Sequence, residues 1–239
     1  MPPAARLLTA AFLLAVALVP VSAIAARPMI TDDARIVDPK ACQVEAWIRT
    51  NVDSREFWAV PACNPTGNLE LSFGGARTHE DQGGDAFTDT VIQGKTILRP
   101  LEPDNWGVGF AAGIARHLHR ESANGWPGDF YFYAPLSIAF NGDQWVAHFN
   151  AGAVHRRDLD KNVGTWGFGN EIRLRDDLYF IPEIFRSEPG RPFYQVGFRY
   201  WIIKDRMQMD ATYGNRVSSD SQERWYSIGV RLLSPPFLP

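Results

Sequence analysis

Residues 164–205 read GTWGFGNEIRLRDDLYFIPEIFRSEPGRPFYQVGFRYWIIKD. Within 165–174, Trp166, Phe168, Ile172 and Leu174 fall on one parity, while Gly167, Gly169, Glu171 and Arg173 fall on the other. Alternation with period two marks a strand with two unlike faces. An Arg-Asp-Asp turn at 175–177 leads into 178–185, and a Pro/Gly-rich break at 187–192 leads into 193–202. There Tyr194, Val196, Phe198, Tyr200 and Ile202 oppose Gln195, Gly197 and Arg199. No helical period fits these residues, so the stretch predicts consecutive antiparallel strands.

The same reading extends in both directions. Upstream, 41–51 and 56–63 form a first hairpin; Leu69, Leu71 and Phe73 alternate with Glu70 and Ser72 before Gly74-Gly75 ends or bends the strand. Further strands are expected at 89–98, 106–114, 130–140 and 145–153, and downstream at 207–213 and 225–233. The total is twelve. Links expected to be short (64–68, 101–105, 141–143, 175–177, 204–205) alternate with longer polar ones (76–86, 117–128, 154–164, 215–224), the first hairpin turn being the exception. An even strand count with short turns on one side and long loops on the other is the layout of an outer-membrane barrel.

Which face points inward decides the class. A soluble sandwich or lipocalin-like barrel packs its apolar face inside; a transmembrane barrel turns it toward lipid and keeps polar and small residues in the lumen. The non-apolar parity here gathers Glu45, Glu70, Asp89, Glu171, Glu183 and Asp210 with Arg49, Lys95, Arg173, Arg199 and Arg231, and His148 falls on the same face. Burying so many unpaired charges in a dry core would cost far more than the ~5–15 kcal/mol by which domains are stable. The expectation is therefore an all-β transmembrane barrel whose lumen charges form an ion-pair network. Trp106, Trp145, Tyr200 and Trp201 adjoin short turns, where an interfacial aromatic girdle would sit.

Composition agrees with one folded domain: 239 residues, 45% hydrophobic, 13% aromatic, with a formal charge of -3. Residues 1–25 combine Arg6, an apolar run from Leu7 and a terminal Ala23-Ile24-Ala25, the pattern of a cleaved secretory signal peptide. Its removal leaves 23 Lys and Arg against 27 Asp and Glu, with nothing that points to nucleic acid. Beyond it no apolar run approaches the ~20 residues of a spanning helix. Residues 26–41 have no sustained period and read as an irregular segment in or under the barrel, which occupies 42–237. In the register that sets Ile48 against Phe57 and Ala46 against Ala59, Cys42 faces Cys63, and a cross-strand disulfide is expected.

At Arg27-Pro28-Met29-Ile30-Thr31-Asp32-Asp33 the chain resembles a family of proteobacterial outer-membrane proteins named for the meta-pathway of phenol degradation, with Arg27, Pro28, Thr31, Asp32 and Asp33 carrying the likeness. The resemblance implies a β-barrel and, by the family's name, uptake of aromatic or other hydrophobic small molecules. The chain departs from the usual barrel ending: it runs on as Ser234-Pro235-Pro236-Phe237-Leu238-Pro239 in place of a terminal aromatic.

Catalytic and metal signatures are sparse. His79, His117, His119 and His155 fall on or beside expected long loops, with no carboxylate or Cys at ligand spacing, and no metal or cofactor is expected. No nucleophile elbow, Walker loop or His-Glu-x-x-His run occurs; a membrane-embedded hydrolase built from separate strands is the enzymatic alternative. The leading expectation is a Gram-negative outer-membrane channel or passive transporter for small solutes, with lipid and the barrel-insertion machinery as partners. Two non-enzymatic alternatives are a closed structural or surface-interaction barrel and a secreted soluble barrel that binds an apolar ligand.

Overall fold

The computed structural model describes residues 27–81, 87–117, 128–218 and 221–239. The signal peptide, His119, residues 82–86 of the loop expected at 76–86 and most of the loop expected at 117–128 lie outside these. Twelve strands run in order: β1 (Cys42–Thr50), β2 (Ser54–Cys63), β3 (Leu69–Glu80), β4 (Phe87–Arg99), β5 (Trp106–His117), β6 (Asp129–Phe140), β7 (Trp145–Arg156), β8 (Lys161–Arg175), β9 (Leu178–Arg186), β10 (Phe193–Ile203), β11 (Met207–Arg216) and β12 (Trp225–Leu233). Each pairs antiparallel with its sequence neighbours, and β1 pairs with β12 to close the barrel. Closure leaves no free edge.

Orientation follows the alternation. Phe73 and Ile228 are 63% and 64% exposed, and Phe57, Phe110, Phe132, Phe149, Phe198 and Ile202 stand on the same outer face. Glu171, Glu183, Arg199 and Arg231 are buried inside. A soluble barrel would have the reverse, since an apolar surface wrapped round the whole molecule far exceeds what water-facing proteins expose. Trp106, Trp145 and Tyr200 lie on the outer face beside short turns. There Arg99 lies over the face of the Trp106 ring at 3.9 Å, a cation–π contact, and Trp145 Nε1 donates to Asn170 at 2.8 Å, which satisfies that ring's polar edge near an interface.

The first hairpin has the register read from the sequence: Ile48 faces Phe57, Ala46 faces Ala59 and Cys42 faces Cys63. Cys42 and Cys63 are joined by a disulfide. The short turns are tight; at 141–143, Asn141, Gly142 and Asp143 all take positive φ, a conformation that Asn, Asp and Gly tolerate best.

Two expectations are corrected. Gly74-Gly75 does not end its strand: β3 continues to Glu80, and a Cβ on Gly75 would stand 1.9 Å from the Asp89 carbonyl oxygen, so the pair permits close backbone approach within the ladder. The link expected at 154–164 is mostly strand, with β7 reaching Arg156, β8 starting at Lys161 and His155 within the ladder. Here apolar side chains change faces: Val154 and Val163 pair on the lumen side while His155 pairs with Asn162 on the other, so the period-two signal of an apolar outer face is lost while backbone pairing persists. At the other end the strands stop at Leu233, and 234–239 fold back: Phe237 and Leu238 donate from their amides to the Lys40 carbonyl, and Ser234 to that of Cys42.

Candidate functional site: the lumen and the segment that crosses it

Residues 27–41 lie inside the barrel, and the inward residues of the wall hold them. The Lys40 amide donates to the Asn64 carbonyl and the Asn64 amide to that of Ala41, which ties the root of the segment to the β2–β3 turn. Asn64 Nδ2 donates to the Val37 carbonyl at 2.8 Å, and the Val37 amide donates to Glu70 at 2.8 Å. From there the segment crosses the lumen to β6–β9 and ends against β10–β12.

Both ionic and main-chain contacts fix it. Lys95 on β4 reaches Asp32 at 2.8 Å and Asp33 at 3.2 Å, while Tyr133 donates to Asp32 at 2.7 Å. Asn150 on β7 accepts from the Asp32 amide at 2.8 Å and donates to its carbonyl at 2.7 Å. Glu183 on β9 accepts from the amides of Ile30 at 2.9 Å and Thr31 at 2.8 Å. Gln195 donates to the Pro28 carbonyl at 2.6 Å; Arg199 and Gln208 donate to that of Arg27 at 3.0 and 2.9 Å. The Arg27 guanidinium lies 3.1 Å from Asp210, 2.8 Å from Ser227 and over the Trp47 ring at 4.1 Å. The Arg27–Pro28 peptide is cis. Gly167 on β8 admits Thr31, whose Oγ1 lies 2.5 Å from where a Cβ would stand.

The wall residues singled out by parity divide into groups. Lys95, Glu70, Glu183, Asp210 and Arg199 touch the segment directly. Glu171 joins Arg199 at 2.9 Å and stands 3.8 Å from Arg35 and 3.9 Å from His148. Arg231 binds Gln43 at 2.8 Å and faces Glu45 at 3.6 Å. Arg49 stacks on Trp225 at 4.3 Å near the long-loop end, and Arg173 donates to the Gly142 carbonyl at the short-turn rim, so these two stand apart from the segment. Asp89 is buried toward the long-loop end of β4. All five motif residues lie in the segment: Arg27, Asp32 and Asp33 make ion pairs, and Pro28 and Thr31 are bound through their backbones.

One ammonium, Lys95, stands before two carboxylates. Burial pushes the Asp33 carboxyl up to about 7, against the pull of Lys95 and with a push from Asp32. His148 is wholly buried and shares a 2.8 Å hydrogen bond with Ser137, which also accepts from the Ala34 amide at 2.8 Å. Ser137, His148 and Glu171 resemble a hydrolase triad in composition, but the serine is enclosed and already holds the segment's amide. Hydrogen bonds link Ala34, Ser137 and His148 on one side and Glu171 and Arg199 on the other, and the two groups meet across 3.9 Å between His148 Nε2 and Glu171. Among the described residues no cluster of His, Cys, Asp and Glu is placed to hold a metal ion.

Space remains on both sides of the segment. A cavity of about 210 Å³ lies between it and β1–β4, lined by Gln43, Glu70, Gln93 and Arg231. A larger one of about 500 Å³ lies toward the long loops, lined by Ile30, Tyr131, Tyr133, Val154 and Phe185. Sequence reading missed Ser137, Asn150, Gln195 and Gln208. All four sit on inward parity, a signal that marks them as lumen residues but does not give them a partner.

A family model described as "Uncharacterised conserved protein UCP029691" matches residues 13–233. The chain belongs to this family. The name that the Arg27–Asp33 motif points to is not the one matched; the coarser expectation, a family with an outer-membrane barrel fold, stands. No curated protein matches in sequence. The barrel is similar to the KdgM porin (TM-score 0.61, 8% identity, 80% of this chain and 98% of that one). It is also similar to the COG4313 outer membrane channel from Pseudomonas putida F1 (0.58, 10%, 88% and 100%) and the NanC porin (0.56, 15%, 80% and 98%). At such identities the likeness establishes the fold.

Proposed function

We propose that the protein is a narrow channel in a Gram-negative outer membrane, reached by export behind a cleaved signal peptide, through which small molecules pass by diffusion. One observation carries the reading: the lumen is lined with charged and amide side chains, and the segment that crosses it leaves cavities of about 210 and 500 Å³ beside it. A barrel that served only as scaffold could fill this volume with side chains. Lipid contacts the outer band, and barrel-insertion machinery places it there.

The larger cavity sets the size and character of the solute. Its Ile30, Tyr131, Tyr133 and Phe185 favour a compact molecule with an apolar ring, in line with the resemblance to the phenol meta-pathway family. One solved form of the KdgM porin is a complex with oligogalacturonate, a polyanion. Here acidic and basic lumen residues are nearly balanced, which gives a polyanion little net attraction.

A sealed barrel is the second reading, favoured by the contacts that pin the segment to both halves of the wall. Liposome swelling separates the two. Flux of small ring-containing and neutral solutes, absent in protein-free liposomes, is expected; no flux of any solute establishes the sealed barrel. Recovery from periplasm without detergent would remove both.

A further inference from the structure

We infer that the lumen is a peptide-recognition site, occupied by the chain's own residues 27–37 and able to take a separate extended peptide in their place. The basis is what the wall reads. Ion pairs hold three side chains of the segment firmly, but most of the contacts go to main-chain groups, which every peptide carries.

Glu183 is the clearest case. Among the described residues its carboxylate has no cationic partner; it accepts from two consecutive backbone amides, Ile30 and Thr31, and from Gln195. A carboxylate placed in a barrel wall without a cation needs such donors. Asn150 grips both the amide and the carbonyl of Asp32, as a neighbouring β-strand would. Gln195 takes the Pro28 carbonyl, Ser137 the Ala34 amide and Glu70 the Val37 amide. These five residues come from β3, β6, β7, β9 and β10 and converge on one line of backbone. Gly167 adds clearance for the Thr31 side chain, the kind of relief a bound chain requires. A neutral solute or an inorganic ion would leave Glu183 and Asn150 only partly matched.

The inference rests on the channel reading only in requiring that the site be reachable from solution. Because the tethered segment acts at an effective concentration of about millimolar, the intact chain would mask a competitor. The test therefore uses the full-length protein carrying Thr31→Pro and Asp32→Pro, which remove the amides that Glu183 and Asn150 hold, in detergent, with the wall untouched. Synthetic RPMITDDARIV, the sequence of residues 27–37, is titrated in and followed by calorimetry.

Saturable one-to-one binding is expected, weakened at least about tenfold by adding Asn150→Leu or Glu183→Gln. Absence of binding, or binding indifferent to both wall changes, overturns the inference. If the double variant fails to fold, Arg27→Ala, which loosens the other end of the segment, replaces it. Calorimetry does not depend on flux. A barrel that binds peptide without conducting sinks the channel reading alone; one that conducts without binding sinks this one.

Discussion

Lys95 is the residue on which the segment's position most depends. It is buried, and it alone faces the Asp32–Asp33 pair at ion-pair distance among the described residues. Removing one partner of a buried ion pair costs roughly 3–5 kcal/mol, because the other charge is left uncompensated. Lys95→Met is expected to free the segment, seen as new proteolytic cleavage within 27–37 while the barrel stays intact. Asp33 supplies a pH test. Its carboxyl is raised from 3.8 to about 7 by burial, so it takes up a proton when the segment docks. That contribution to docking is complete below pH 3.8 and is lost as pH rises through 7, with the equilibrium changing by up to about tenfold per pH unit in between. Protection from protease should therefore be greater at pH 5 than at pH 8, and Asp33→Asn should flatten the profile. Gly167→Val offers a steric route to the same end: its side chain would occupy the space of Thr31 Oγ1. Valine suits a strand, so the heat-sensitive gel mobility of the barrel should survive while conductance rises.

At the scale of elements, the β1–β2 hairpin carries the disulfide, which closes a loop with a sequence separation of 21. Crosslinks of that span stabilise by about 3 kcal/mol in the chain-entropy account. Cys42→Ser with Cys63→Ser should lower the temperature at which the barrel unfolds in detergent, without changing its fold. How far such elements can be read from sequence depends on whether their side chains alternate. The register of this hairpin was readable because Ile48, Ala46 and Cys42 each find one matching partner on β2. The ends of β3, β7 and β8 toward the long loops were not, because the apolar outer parity stops there, with Val154 and Val163 on the lumen side, although the ladder continues. The lumen charges were visible as a face. The segment's line of attachment was not, because its main-chain groups have no sequence signature and Asn150, Ser137 and Gln195 look like any other inward polar residues.

For the molecule as a whole, the outer apolar surface and the closed sheet make a single prediction. The purified protein should require detergent and migrate faster on a gel before heating than after, since a closed barrel resists unfolding by detergent until it is warmed. Identical mobility before and after would argue against closure. The fold-back of 234–239 onto Lys40 and Cys42 has a consequence for how the molecule is built. The first and last strands meet at the seam where that tail lies, so the cylinder is complete only when its two ends find each other. The same tail rests on Lys40, the root of residues 27–41, so one short stretch ties the seam to the segment within the lumen. Closing the cylinder and anchoring its stopper are therefore one event, and a change that loosens the tail should loosen both.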